Sequence, residues 1–338
     1  MIPFALATRY RTTGGYEALL SIDGTLIDLA AAVSPDAETR EALTRLGVQA
    51  LLGDWDRWLD RLTDTAAAVR AEGLDDPRWH RGSLEIGDTT LAPPVPEPRQ
   101  ILCAASNYAK HVADFKGRED IDRFTGIDRS RMMPYLFAKG PDSPERPYGE
   151  IAYPPVTSRL DYEVELAVAL CRGGRRIPSA KAASHIAGYL LFNDLTCRDL
   201  QQRTDWAFFK TDWFAGKAFD GSAPMGPLLV PARFVPDYRS LELELKVNGE
   251  VRQQAPAGDM VFSIEEQIAF ASAVTTLRPG DIIATGTPDG VAMKTGQWLG
   301  VGDLVEASGG PLGSHRHRVV EDPSTGDGFV LEPPEANS

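Results

Sequence analysis

The amino-acid sequence predicts a β-rich α+β protein, with a large barrel- or roll-like domain preceded by a smaller domain that mixes strands and helices. Three observations carry that prediction. Beyond residue 99, short apolar runs bounded by glycine and proline recur (ILCAAS, EVELAVAL, GYLLFND, LELELKVNGEV, DIIATGT, DLVEAS), while helical patterning there is confined to 179–187 and 263–276. Before residue 92 both periodicities are present. Between the two regions, LAPPVPEPRQ places prolines at 93, 94, 96 and 98, which suits neither a helix nor a central strand and reads as an extended linker. The expected divisions are 1–92, the linker 93–98, a main domain over 99–322, and a loosely ordered tail over 323–338.

In the leading domain, FALATRYR, YEALLSI and TLIDLAAA are strand-like and are separated by Gly14-Gly15 and Asp23-Gly24, the turn signals of a hairpin or meander. A helix is expected after Ser34-Pro35, as a cap with proline in the first turn, and another over 54–72. In the main domain, LDYEVELAVAL reads as a half-buried strand. Val164, Leu166, Val168 and Leu170 share one face, and Asp161, Glu163 and Glu165 open the other. Three like charges in a row repel, so either water screens them or a positive group lies between them.

Composition narrows the function. A net charge of −13 argues against a nucleic-acid partner, since phosphates would be repelled. No apolar run is long enough for a membrane-spanning helix, and MIPFALATRYR lacks the basic start and apolar core of a signal peptide. Three cysteines, Cys103, Cys171 and Cys197, have no paired spacing, which fits a reducing compartment and an expected cytoplasmic location.

Four stretches carry chemistry. The Glu163/Glu165 pair suits a solvated strand face or a hard-cation site. GYLLFND ends an apolar strand on Asp194, and a third carboxylate there would complete an oxygen half-shell of the kind Mg2+ or Mn2+ prefers. The five histidines lack zinc spacing, and His315 and His317, on a late polar segment, are expected at the surface. In SNYAKHVAD, Ser106 or Asn107 can cap a helix that sets His111 and Asp114 three residues apart on one face. That is either a surface pair or a general base oriented by a carboxylate. GKAFDGSAPMGP offers Lys217 from a glycine- and proline-rich loop, and RPGDIIATGTPDGV ends in backbone N–H groups and the Thr287 hydroxyl, able to hold a carboxylate.

SNYAKHVAD, PYLFAKGPDS, LDYEVELAVAL, GYLLFNDLTCRDLQ, GKAFDGSAPMGP, VNGEVRQ and LRPGDIIATGTPDGV occur in the order typical of one family, and over residues 99 to about 320 the chain resembles the fumarylacetoacetate hydrolase family. The resemblance implies a β-roll-like catalytic domain, a homodimer, and Mg2+ or Mn2+ (with Ca2+ as a substitute) on Glu163, Glu165 and Asp194. It further implies a dyad of His111 and Asp114, with Tyr108, Arg198, Gln201, Lys217 and Thr287 toward the substrate. Three departures stand out: Asp114 where close relatives often carry Glu, Ala105-Ser106 where a glycine usually precedes the Asn-Tyr pair, and Ala104 where some members carry a fourth ligand.

The expected function is hydrolysis of a carbon–carbon bond in a β-diketone-like or acylpyruvate-like acid. His111 would activate water, while the cation and Lys217 would hold the departing carbanion as an enolate. Decarboxylation of a 2-oxo acid or enol–keto isomerisation would use the same enolate, and a non-catalytic ligand-binding protein on the same fold is the rival of another class. The stretch between Gln201 and Lys217 is long and aromatic (Trp206, Phe208, Phe209, Trp213, Phe214), expected as core or dimer contact ahead of pocket wall. The charged segment 115–133 is expected either to close over the site or to be an ordinary surface loop.

Overall fold

Alternation in FALATRYR and YEALLSI becomes an antiparallel pair, Ala5–Tyr10 with Tyr16–Ile22, in register from Ala5↔Ser21 to Tyr10↔Tyr16. This computed structural model describes residues 2–108, 129, 131–203 and 208–323. The pair lies within a five-stranded antiparallel sheet completed by Thr25–Asp28, His80–Ser83 and Leu91–Ala92. Asp23 and Gly24 both have positive φ, 51° and 83°, the geometry of a tight two-residue hairpin turn. TLIDLAAA is only half strand. It ends at Asp28, whose carboxylate accepts from Ala31 N at 3.0 Å and caps a short helix, Leu29–Val33. The next helix, Ala37–Leu46, is capped by Asp36, not Ser34; Ser34 closes the preceding helix with φ 46°. The third, Trp55–Glu72, buries Trp55, Trp58, Leu59, Leu62, Ala66 and Val69 at helical spacing.

The centre of the main domain is a six-stranded sheet. Its order is Val230–Pro231, Ile186–Asn193, Val164–Leu170, Ile282–Ala284, Ile101–Ala105, Tyr135–Ala138, with only the Ile282–Ala284 and Ile101–Ala105 pair parallel. Val164–Leu170 was expected to be half-buried; every residue of it is buried. Val164, Leu166, Val168 and Leu170 face one hydrophobic core, with Leu243, Leu245, Val305 and Val319 of a second sheet. Ala167 and Ala169 face another, with Leu52, Trp58 and Leu62 of the leading segment. The small side chains on that face let the leading segment approach closely. That is why the strand lacks the polar outer face of a half-buried one.

The second sheet runs Glu250–Pro256, Glu242–Val247, Leu304–Ser308, Ser314–Glu321, Tyr148–Tyr153. It corrects one expectation: His315 and His317 are buried. SHRHRVV alternates, and period 2 turns both imidazoles and Val319 inward while Arg316 and Arg318 face water. His317 Nε2 donates to the Arg146 carbonyl at 2.9 Å, and the two imidazole rings meet edge to face at 5.9 Å.

The proline segment is held in place: Thr8 Oγ1 donates to Pro94 O at 3.2 Å, and Gln49 exchanges hydrogen bonds with the Glu97 backbone. Helical patterning over 179–187 survives only as Ser179–Ala182 followed by one tighter turn, because the chain must enter the central sheet at Ile186. Over 263–276 it yields Ile264–Val274, with Ser263 and Glu266 forming a reciprocal capping box. Of the aromatic stretch, Phe208 and Phe214 are 90% and 78% exposed, which removes the core reading for them, and Trp206 lies outside the described residues.

Candidate metal centre

The ladder between Val164–Leu170 and Ile186–Asn193 determines where the carboxylates meet. Glu163 stands one residue before its strand and Asp194 one residue after its own. Asp194 N donates to Glu163 O at 2.8 Å, and Glu163 N donates to Asn193 Oδ1 at 2.9 Å, so the two chain ends are tied side by side. Glu165, two residues on, shares the Glu163 face. Oxygens of Glu163, Glu165 and Asp194 lie within 4.8 Å of one another, and all three residues are buried. The trio expected from sequence is therefore brought together.

Asp161 is not part of it. A break at Tyr162 and Glu163 separates Leu160–Asp161 from the longer strand. Asp161 accepts instead from Arg198 Nε at 2.7 Å and from Ala292 N at 2.6 Å and Met293 N at 3.1 Å. Positive charge does sit among the carboxylates, as side chains. Lys217 Nζ donates to Glu163 Oε2 at 2.8 Å and Asp194 Oδ2 at 2.7 Å. Arg198 donates to Glu163 and, through Nη1, to Gln201 Oε1 at 3.2 Å. Lys139 donates to Asp194 and to Leu195 O. Burial opposes the charge on Lys217, but Asp194 and Glu163 outweigh it and hold its pKa above the usual range. Gly216, beside Lys217, packs against Gln201 so closely that a Cβ there would lie 2.6 Å from Gln201 Cβ and 2.9 Å from its Cα.

Glu165 is the least satisfied member. Its Oε2 accepts from Gly286 N at 2.7 Å, while Oε1 is buried with no partner. Burial, then the charges of Asp194 and Glu163, push its pKa well above the ordinary carboxylate range. Among the described residues, four buried carboxylates here meet three cations, and Glu165 Oε1 has no donor. An all-oxygen set with an orphaned anionic oxygen fits a hard divalent cation. Gly286, at φ 98°, serves that contact: a Cβ there would strike Asn107 Cβ at 2.7 Å.

The remaining expected residues fall as follows. Thr287 Oγ1 donates to Val164 O at 2.9 Å and accepts from Gln253 Nε2 at 2.8 Å, so this hydroxyl braces the strand that carries Glu165. Tyr108 is buried, with an unpartnered hydroxyl whose pKa is raised by burial and then by Glu165. Its neighbour Asn107 bonds Phe262 and Thr285, fixing the entry to this segment beside the Thr285–Thr287 loop. His111, Asp114 and nearly all of 115–133 lie outside the described residues. Lys139, at the end of YLFAK, is a member of the site that no motif marks in the sequence. The available signal was strand alternation, which sets Lys139 on the face of Tyr135 and Phe137.

Residues 100–320 match the family model described as fumarylacetoacetate (FAA) hydrolase, C-terminal. The chain is 36% identical to oxaloacetate tautomerase YisK of Bacillus subtilis (strain 168) over 256 residues, which covers 74% of this chain and 80% of that one. Fumarylpyruvate hydrolase from Pseudomonas aeruginosa, solved with Mn2+ and pyruvate, is 34% identical with a TM-score of 0.56, covering 70% of this chain and 93% of that one. Maleylpyruvate hydrolase from Sphingobium sp. SYK-6, also solved with manganese and pyruvate, is 27% identical with a TM-score of 0.67, covering 94% and 99%.

Proposed function

Because the chain belongs to the fumarylacetoacetate hydrolase family, we propose that it is a divalent-cation-dependent enzyme that interconverts the keto and enol forms of a 2-oxo acid. The observation that carries this reading is the buried trio of Glu163, Glu165 and Asp194 with its orphaned Glu165 oxygen, set beside Lys217. The trio would hold Mg2+ or Mn2+, which when bound supplies a Lewis acid for a substrate carbonyl.

The chain's own groups do the rest. Lys217 and Lys139 keep positive charge at Asp194, where an acid's carboxylate or a developing enolate oxygen needs it, in a site with little water to screen them. Arg198, anchored by Asp161, fixes the orientation of Glu163. His111, oriented by Asp114, takes the proton from the carbon beside the carbonyl and returns it to that atom or to the oxygen. Likeness to an oxaloacetate tautomerase favours this proton transfer as the whole reaction. The hydrolytic reading drawn from the sequence stands second, supported by the likeness to the fumarylpyruvate and maleylpyruvate hydrolases. It needs His111 to deprotonate a water as well.

One experiment separates them. The protein with Mg2+ is incubated in D2O with oxaloacetate and, separately, with fumarylpyruvate, and followed by NMR. Tautomerisation brings deuterium to C3 faster than buffer does and leaves the carbon skeleton intact. Two carboxylic acid fragments from fumarylpyruvate would make hydrolysis the reaction. Buffer rates with both substrates would overturn both readings.

A further inference from the structure

Two elements enter the metal centre in the same way. On the edge strand Tyr135–Ala138, Tyr135 and Phe137 share a face, and Lys139 continues it. Exposure falls along that line from 54% at Tyr135 to 7% at Lys139, whose ammonium reaches Asp194. On the short helix Trp213–Lys217, the first and last residues are one turn apart, the spacing that puts both on one face, and Lys217 Nζ reaches Glu163 and Asp194. The two elements join through their rings. Trp213 stacks on Phe137 at 4.8 Å and 29°, Tyr135 lies 5.3 Å from Trp213, and Lys217 Nζ lies 5.2 Å from the Phe137 centroid. A continuous line of rings therefore runs from solvent to the two lysines.

We propose that Tyr135, Phe137 and Trp213 form a subsite for a planar apolar substituent, so that an aryl- or alkenyl-substituted 2-oxo acid is bound in preference to a short dicarboxylate. The proposal rests on the 2-oxo acid reading above. A stack that only stabilised the fold would bury its rings, yet Tyr135 is more than half in water. Ring faces carry the negative end of the aromatic quadrupole, so they take the electropositive edge or an offset face of another ring and repel a second carboxylate. The acid end of the substrate is served by the lysines and the carboxylate-held cation, which leaves the rings to the distal end.

Calorimetry on the Mg2+-saturated full-length protein tests this with two probes, pyruvate and phenylpyruvate. The wild type is expected to bind phenylpyruvate about tenfold tighter or more, the effect of giving one ring a well-matched aromatic wall. In Trp213→Ala the ratio of the two dissociation constants falls to near one, and Trp213→Phe restores most of it. Tyr135→Ala, at an exposed position that cannot collapse the core, lowers the ratio about two- to threefold, in line with losing one ring–ring contact. Equal affinities in the wild type, or a ratio that Trp213→Ala leaves unchanged, overturn the subsite while the 2-oxo acid reading stands. Failure of both probes to bind in a Mg2+-dependent way overturns the two together.

Discussion

A carboxylate with one oxygen on Gly286 and the other without a donor is costly to keep inside a protein, and Glu165 is such a group. Glu165→Gln should therefore abolish divalent-ion binding while leaving the metal-free protein at least as stable, read by calorimetry and thermal melting. The pair Glu163/Glu165 was legible because alternation fixes which side chains share a face. Asp161 looked equivalent by the same rule and is not, because only backbone geometry reveals the break after it and the Arg198 it serves. Ser106 is a second residue-scale case. The family resemblance implies a glycine around Ala105-Ser106, and Ser106 holds φ 54°, a region that L-residues adopt at a cost. Ser106→Gly should raise stability by about 0.5–1 kcal/mol, the strain relieved less the added freedom of the unfolded chain, seen as a higher denaturant midpoint at unchanged slope. For the proposed base, His111→Ala should lower turnover by about 10²–10⁴-fold with cation affinity nearly unchanged; loss of cation binding would make His111 a ligand instead.

At the scale of elements, the strand Ser314–Glu321 carries the sharpest consequence. Burial, then the neighbouring His317, lowers the His315 pKa well below its ordinary value, and burial lowers that of His317 to about 4. Both are neutral in the fold, whereas the unfolded chain protonates near 6.5. The unfolded state therefore binds more protons, and stability is lost as pH falls from about 6.5 toward 4, by about 3 kcal/mol for His317 alone. Denaturant titrations across that window should show a shallower slope in His317→Gln than in the wild type, although that variant is less stable at pH 7. Equal slopes would remove His317 as the source. The alternation of SHRHRVV was readable in advance. What misled was residue type, since paired histidines and arginines suggest a solvated segment until the second sheet is seen to close over one face.

At the scale of the molecule, the six-stranded sheet is covered on one side by the leading segment, which shares a hydrophobic core with Ala167, Ala169, Leu190 and Phe192. Deleting residues 1–92 should expose that face and give an aggregating product without cooperative unfolding; a soluble, cooperatively melting 93–338 fragment would contradict this. The strand-rich class and most elements could be read from periodicity and turn residues. The shared core could not, because a proline run looks alike in sequence whether it hangs between domains or is clamped by Thr8 and Gln49.

The candidate metal centre is assembled from four segments of the main domain, which supply Lys139, then Glu163 and Glu165, then Asp194 and Arg198, then Lys217. Its most direct test is calorimetric titration of chelator-treated protein with Mn2+, for the wild type and for Glu163→Gln, Glu165→Gln and Asp194→Asn. One ion per chain in the wild type, with binding lost in each variant, is the predicted result. A wild type that binds no ion, or variants that bind as tightly as the wild type, would contradict it.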